Sequence, residues 1–174
     1  MKKIILGLAI VSFLFSIGFL YNTINVTQKA HVKLDYEAKD LKTLSKDSEF
    51  IVSGIVEESR DVDINGVKFQ ISKFKIDQSI KGDFLNKDYI EIIQTVGIAE
   101  ESLIIKNDNL LLFLEKYVGP IENEAYVIKG LYQGQYKIKN NKIKGVNNLN
   151  KKLNDEIESY DLKLLKDSLK KDKE

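Results

Sequence analysis

The sequence predicts a mainly β fold: a small closed or partly open barrel of five to six strands, with helical segments outside it. Three observations carry that expectation. From residue 50 to about 143 the apolar residues recur with period two, in short runs separated by Gly, Asn and Asp turn signals. The dipeptide Asn65-Gly66 divides two of these runs, and it is the strongest short-range hairpin signal because both turn positions need positive φ. Finally, the apolar parity flips along both arms of that hairpin, so each strand must bulge or coil, as a small closed barrel requires.

The hairpin comes first. FIVSGIV (50–56) and VKFQISKFKI (67–76) are rich in branched and aromatic residues. A two-residue loop pairs Ile64 with Val67, Asp63 with Lys68, Val62 with Phe69, and Glu58 with Lys73. Apolar residues then share a face and opposite charges meet, each pair contributing a few tenths to about 1 kcal/mol. Val67, Phe69 and Ile71 are odd, whereas Phe74, Ile76 and Ile80 are even. The partner arm shifts from Ile51 and Ile55 to Val62 and Ile64. Ser53-Gly54 supplies the small residues at the bend.

Four further runs follow. YIEIIQTV (89–96) comes after a Lys81-Gly82-Asp83 turn, and NLLLFLEKY (109–117) is apolar enough for burial on both faces. AYVIKGLY (125–132) precedes QYKIK (135–139), and Asn140-Asn141 turns the chain to set Ile138 opposite Ile143. Such a series of short strands indicates an all-β barrel or sandwich. Ahead of it, DYEAKDLKTLSKDS reads as a short helix with Asp35 as N-cap and Ala38, Leu41 and Leu44 as its apolar stripe. Beyond it, Leu149, Leu153, Ile157, Tyr160 and Leu164 give one amphipathic helix packed on the barrel, with a frayed KKDKE tail. The barrel unit with its leading helix spans 35–146, and the C-terminal helix and tail span 147–174.

Residues 1–24 form an N-terminal membrane segment. Lys2 and Lys3 precede IILGLAIVSFLFSIGFLY (4–21), and the next charge is Lys29. As a helix this run rises about 27 Å, close to the hydrocarbon thickness of a bilayer. Basic residues before it favour a cytoplasmic N-terminus, so the chain beyond a 25–34 spacer lies outside. An uncleaved signal-anchor and a cleaved signal peptide both remain open. Ser16 and Gly18 offer a cleavage site, although cutting there leaves Phe19, Leu20 and Tyr21 exposed.

Composition narrows the chemistry. The formal net charge is +1, which argues against nucleic acid as a partner. There is no cysteine, so disulfides, thiolate nucleophiles, iron–sulfur clusters and cysteine-held zinc are excluded. The one histidine, His31, lies in the spacer and cannot build a multi-histidine site in one chain.

The series EFIVSGIVEE, FQISKFKIDQSIKGD, YIEIIQTVG, NLLLFLEKY and AYVIKGLYQGQYKI resembles a family of uncharacterised bacterial proteins, secreted or membrane-anchored. The resemblance covers roughly residues 45–146. The same pattern is similar to the OB-like barrel of netrin and tissue-inhibitor (TIMP-like) modules. That likeness implies an OB-like barrel. It does not carry protease inhibition across, because the inhibitors work through a cysteine-bearing N-terminus that this chain lacks.

Candidate sites are few. Asp61, Asp63, Asn65 and Gly66 match the opening of an EF-hand loop, but its twelfth position is Ser72 where a bidentate Glu is needed. A solvated hairpin tip is the expected reading, and no cofactor is expected. The run EESRD (57–61) and Glu100-Glu101 could supply paired carboxylates, with nothing to place them across a cleft. Ser45, Ser48 and Ser53 have no base partner. Tyr89, Tyr117, Tyr126, Tyr132 and Tyr136 could form a stacking platform on an OB-like face, or fill the core with their hydroxyls at its edge. The expectation is a non-catalytic module outside the membrane, held by residues 4–21, with an envelope protein or polymer as partner. The alternative is a secreted inhibitor or immunity-like factor, with residues 97–108 as its protruding loop or free strand edge.

Overall fold

The computed structural model describes residues 36–84, 87–98 and 101–171. The membrane segment 4–21, the spacer 25–34, the Asp35 cap and Glu100 lie outside the described residues. Among the described residues no helix is long and apolar enough to cross a membrane.

Helix α1 spans Leu41–Asp47, and its N-cap is Asp40, whose carboxylate accepts from the Thr43 amide. The helix therefore starts later than the sequence suggests. Aspartate is a favoured cap residue, and Asp40 stands three places before the Thr43 amide that its side chain reaches. Ala38 precedes the helix and is still fully buried.

Seven strands form one sheet: β1 (Phe50–Ile64), β2 (Val67–Lys81), β3 (Tyr89–Thr95), β4 (Asn109–Lys116), β5 (Tyr126–Ile128), β6 (Gln135–Lys139) and β7 (Lys142–Gly145). The order is β1-β2-β3-β5-β4-β6-β7, and β4 also pairs with β1. Five strands thus make a partial ring, joined between β3 and β5 by the single parallel pair Ile92–Tyr126. The hairpin register is the one the charges and parity predict, including Glu58–Lys73, Asp63–Lys68 and Ile64–Val67. Register irregularities after Ile51, Ser53 and Val56 bend the hairpin. At Gly54 a Cβ would run into the Lys75 carbonyl and the Phe74 ring, so the two strands cross where no side chain is present.

The run 125–132 is not one strand. Only Tyr126–Ile128 pairs, and a 3-10 turn follows at Leu131–Gly134. Gly130 and Leu131 both have positive φ, which ends the strand and turns the chain. As a result β5 and β6 occupy successive stretches of the same β4 edge. Ile138 pairs with Ile143 through the Asn140-Asn141 turn.

The C-terminal stripe is also broken, into α2 (Lys151–Glu158) and α3 (Leu162–Lys171). Asp161 restarts the helix, accepting from the Leu164 amide, and shifts the buried phase. Leu165 and Leu169 therefore point inward, whereas Leu149 and Leu164 are exposed.

Three apolar clusters result. Leu111, Phe113, Tyr136 and Ile51 pack against α1, α2 and α3. Leu110, Leu112 and Leu114 face the ring interior with Val52, Phe74 and Ile92. β4 is thus buried on both faces, each fully covered Leu contributing about 1.5–3 kcal/mol. On the third side Ile71 and Ile93 lie under the loop 117–125.

Candidate functional site

A trough runs between the loop 117–125 and the strands β2 and β3, in three neighbouring lobes. The first, about 420 Å³, has a floor of Phe50, Phe84 and Tyr126 and a rim of Asp83, Lys87, Lys116 and Glu124. The second, about 450 Å³, shares Lys87 and Glu124 with the first and adds Lys73, Tyr89, Glu91 and Glu122. The third, about 170 Å³, shares Lys73 and Glu91 with the second and ends at Arg60 and Ile71.

The aromatic floor is set by three separate segments. Phe50 opens β1, Phe84 follows β2, and Tyr126 opens β5. Their centroids lie 5.0 Å (Phe50–Phe84), 5.2 Å (Phe50–Tyr126) and 5.6 Å (Phe84–Tyr126) apart, with Phe50 and Tyr126 edge to face. Burial raises the pKa of the Tyr126 hydroxyl and so keeps it protonated.

Ion pairs line the rest. Lys87 Nζ lies 2.6 Å from Glu124, a residue held at φ 61° in the left-handed region. Their mutual hydrogen bond raises the Lys87 pKa and lowers that of Glu124. Arg60 Nη2 bridges Glu122 at 2.9 Å and Glu91 at 3.4 Å. Lys73 sits 4.5 Å over the Tyr89 ring, while the Tyr89 hydroxyl donates to Glu57 at 3.3 Å. These groups are exposed, so each pair is weak and exchangeable. A ligand carrying its own charges can replace one partner at little cost.

Three of the five sequence-singled tyrosines come together here. Tyr89 is 38% exposed, Tyr126 lies in the floor, and Tyr117 lines the wall, its hydroxyl accepting from the Ile121 amide at 3.4 Å. Tyr132 falls in the 3-10 turn. Tyr136 is fully buried against Phe113 under the helices. The hairpin tip is separate: Asp63 accepts from the Gly66 amide at 2.9 Å, Asp61 pairs with Gln70, and Asn65 and Gly66 take positive φ. Among the described residues no three His, Cys, Asp or Glu side chains converge as metal ligands. Ser48 Oγ donates to the Leu44 carbonyl, and Ser53 is buried beside Gly54.

Residues 101–104 do not protrude. Gln94 donates to the Ser102 carbonyl and accepts from the Ile104 amide, and Gln70 donates to the Ile104 carbonyl at 2.7 Å. Glu101 accepts from the Thr95 amide at 3.2 Å, and burial pushes its pKa up to about 7. The loop that projects is the one after β4, where Val118 is 94% exposed.

Lys87, Glu122 and Glu124 were not marked by any local motif, and Arg60 and Lys73 were noted only within the run 57–61 and the hairpin register. They meet only because the ring brings four distant segments side by side. Gln70 and Ser72, buried on the other face of β2, belong to the 101–104 contact and not to the trough. No protein-family model matches the chain, and no curated protein matches it.

Proposed function

We propose that this chain is a non-catalytic binding module of the cell envelope. In this reading it is an OB-like barrel held outside the membrane by residues 4–21, and it takes an extended segment of a protein or envelope polymer along the trough. The observation that carries the reading is the trough itself: aromatic at one end, lined by exchangeable ion pairs, and open along β2 and β3. OB-like barrels take oligomeric ligands on that face with the adjoining loops. The five-strand order with β1 returning to β4, and the long bent first hairpin, support the OB-like assignment. The carboxylates Glu91, Glu122 and Glu124 of the trough are exposed and paired with cations, which suits recognition better than acid–base chemistry. Its balanced charge suits a ligand other than nucleic acid.

A photo-crosslinking residue in place of Tyr89, introduced into the full chain in its own membranes, tests this. The expected result is a discrete adduct that Arg60→Glu and Lys73→Glu abolish and that a probe at Lys139 does not give. Equal labelling at both positions sinks the reading.

A second reading, a secreted inhibitor or immunity-like factor, is favoured by one observation: the apolar tip at Val118. The intact mass of the protein in membrane and medium separates the two. Full-length mass in the membrane supports the tethered module, and a mass lacking the leading segment in the medium supports the diffusible factor.

A further inference from the structure

The near-neutral total charge hides a division. Residues 36–48 and 135–171, which include the three helices and β6–β7, carry thirteen lysines against eight carboxylates. Residues 49–134, the ring and its loops, carry nine cationic side chains against fifteen carboxylates. The helical side is basic and the ring acidic.

The two signs are also placed differently on the helical side. Four of the eight carboxylates on the helical side accept from backbone amides: Asp40 from Thr43, Glu156 from Leu41, Glu158 from Gly145 and Asp161 from Leu164. The lysines face outward, Lys39, Lys42, Lys151, Lys152, Lys163 and Lys170 all being exposed. The same segments leave two leucines uncovered, Leu149 at 59% and Leu164 at 55% exposure.

The chain also enters the fold on this side. Gln133 donates to the Tyr36 carbonyl at 3.0 Å and accepts from the Ala38 amide at 2.8 Å. Asn150, the N-cap of α2, donates to the Ala38 carbonyl at 3.0 Å. The Tyr36 ring is held against Gly130 and under Lys129 Nζ at 4.7 Å. The residues before Tyr36 therefore leave from the helical side. Fourteen residues separate position 21 from Tyr36 and span at most about 50 Å, so a membrane-held segment keeps the domain within that reach of the lipid surface and raises the effective concentration of its faces there.

We propose that the helical side docks on an anionic lipid bilayer, its lysines on the headgroups and Leu149 and Leu164 at the acyl boundary, leaving the acidic ring and trough turned outward. The docking rests on residues 4–21 being the membrane segment. Each lysine brought to an anionic surface strengthens binding roughly fivefold, and the attraction fades within a Debye length. Leu164, exposed on the lysine-rich helix α3, adds apolar contact of the kind that holds interfacial helices, and Leu149 adds a second apolar side chain from the turn before α2.

The absence of cysteine makes the test direct. The full chain carrying an environment-sensitive label at Leu164→Cys, or at Val118→Cys as the distal control, is reconstituted in vesicles containing an acyl-chain quencher. Flotation with phosphatidylcholine vesicles reads the anchor by itself; failure to float there overturns the membrane segment and the docking together. In vesicles containing phosphatidylglycerol, the expected result is quenching at Leu164 and not at Val118, reversed by high salt in the unaltered charge background. Joint replacement of Lys139, Lys142, Lys163 and Lys170 by Glu is expected to abolish it. A floating chain whose Leu164 label is unquenched, or quenched equally with Val118 or in neutral lipid, overturns the docking and leaves the anchor standing.

Discussion

Lys81, the last residue of β2, caps helix α1: its ammonium donates to the Ser45 carbonyl at 2.6 Å and to those of Ser48 and Lys46 at 2.5 and 3.2 Å. One cation thus serves three carbonyls at the negative end of a helix, where positive charge is favoured. The contact fixes α1 against the far end of the first hairpin. Lys81→Met keeps the stem and removes the charge. Its expected cost is about 2 kcal/mol, read by urea unfolding of the full chain in detergent. An unchanged unfolding midpoint would show that the carbonyls are equally well served by water.

Gly54 and Gly66 are glycine for different reasons, and substitution separates them. A Cβ at Gly54 meets the Lys75 carbonyl and Phe74 ring, whereas at Gly66 nothing lies within 4 Å and only the φ of 82° resists a side chain. Gly54→Ala is therefore expected to cost about 3 kcal/mol or more, because backbone must move. Gly66→Ala is expected to cost about 1–2 kcal/mol, from left-handed strain alone. The same urea titration on both variants gives the comparison, and equal losses contradict the strand-crossing account.

The hairpin was legible in the sequence because its information is local and redundant. Turn chemistry at Asn65-Gly66, cross-strand charge at Asp63–Lys68 and Glu58–Lys73, and apolar parity all select one register. The break between α2 and α3 was not legible. The apolar spacing runs on smoothly to Leu164, and nothing in it reveals that Asp161 serves as a cap instead of a helix-interior residue. Likewise AYVIKGLY has strand composition throughout, and only the tertiary fold places Gly130 and Leu131 at the corner where β4 exchanges one partner for the next. The trough was hidden for a related reason. Apart from the Lys73 contacts made within the hairpin, its ion pairs join residues 31 to 62 positions apart, such as Arg60 with Glu91 and with Glu122, and no spacing rule reaches that far.

At the hairpin tip, Asp61 and Asp63 are distinguishable. Asp63 closes the turn through the Gly66 amide, whereas Asp61 faces solvent opposite Gln70. Asp61→Ala is expected to leave stability within about 0.5 kcal/mol, and Asp63→Ala to cost about 1 kcal/mol through the lost turn contact. Millimolar calcium is expected to leave the melting temperature of the unaltered chain where it is. A calcium-dependent rise that the double replacement removes would restore the metal-site reading.

Glu101 gives the chain a pH dependence of definite sign. Burial raises its pKa from 4.5 to about 7, against the opposing effect of hydrogen bonds from Gln94 and the Thr95 amide. The folded state therefore holds a proton that the unfolded state has released between about pH 4.5 and 7. Stability from this group is full below the unfolded value and is lost as pH rises through the folded one. The shift corresponds to at most about 3 kcal/mol, and partial solvent access reduces it. Glu101→Gln keeps an oxygen for the Thr95 amide and removes the ionisation. The difference in unfolding free energy between the two proteins is expected to widen from pH 5 to pH 8, with the Gln variant the more stable at pH 8. Because residues 101–104 are clipped to Gln94 and Gln70 beside this carboxyl, hydrogen exchange at the Ile104 amide is expected to quicken over the same range in the unaltered chain alone. If both proteins lose stability in parallel, the carboxyl is solvated in solution and the strap is held by the glutamines without it.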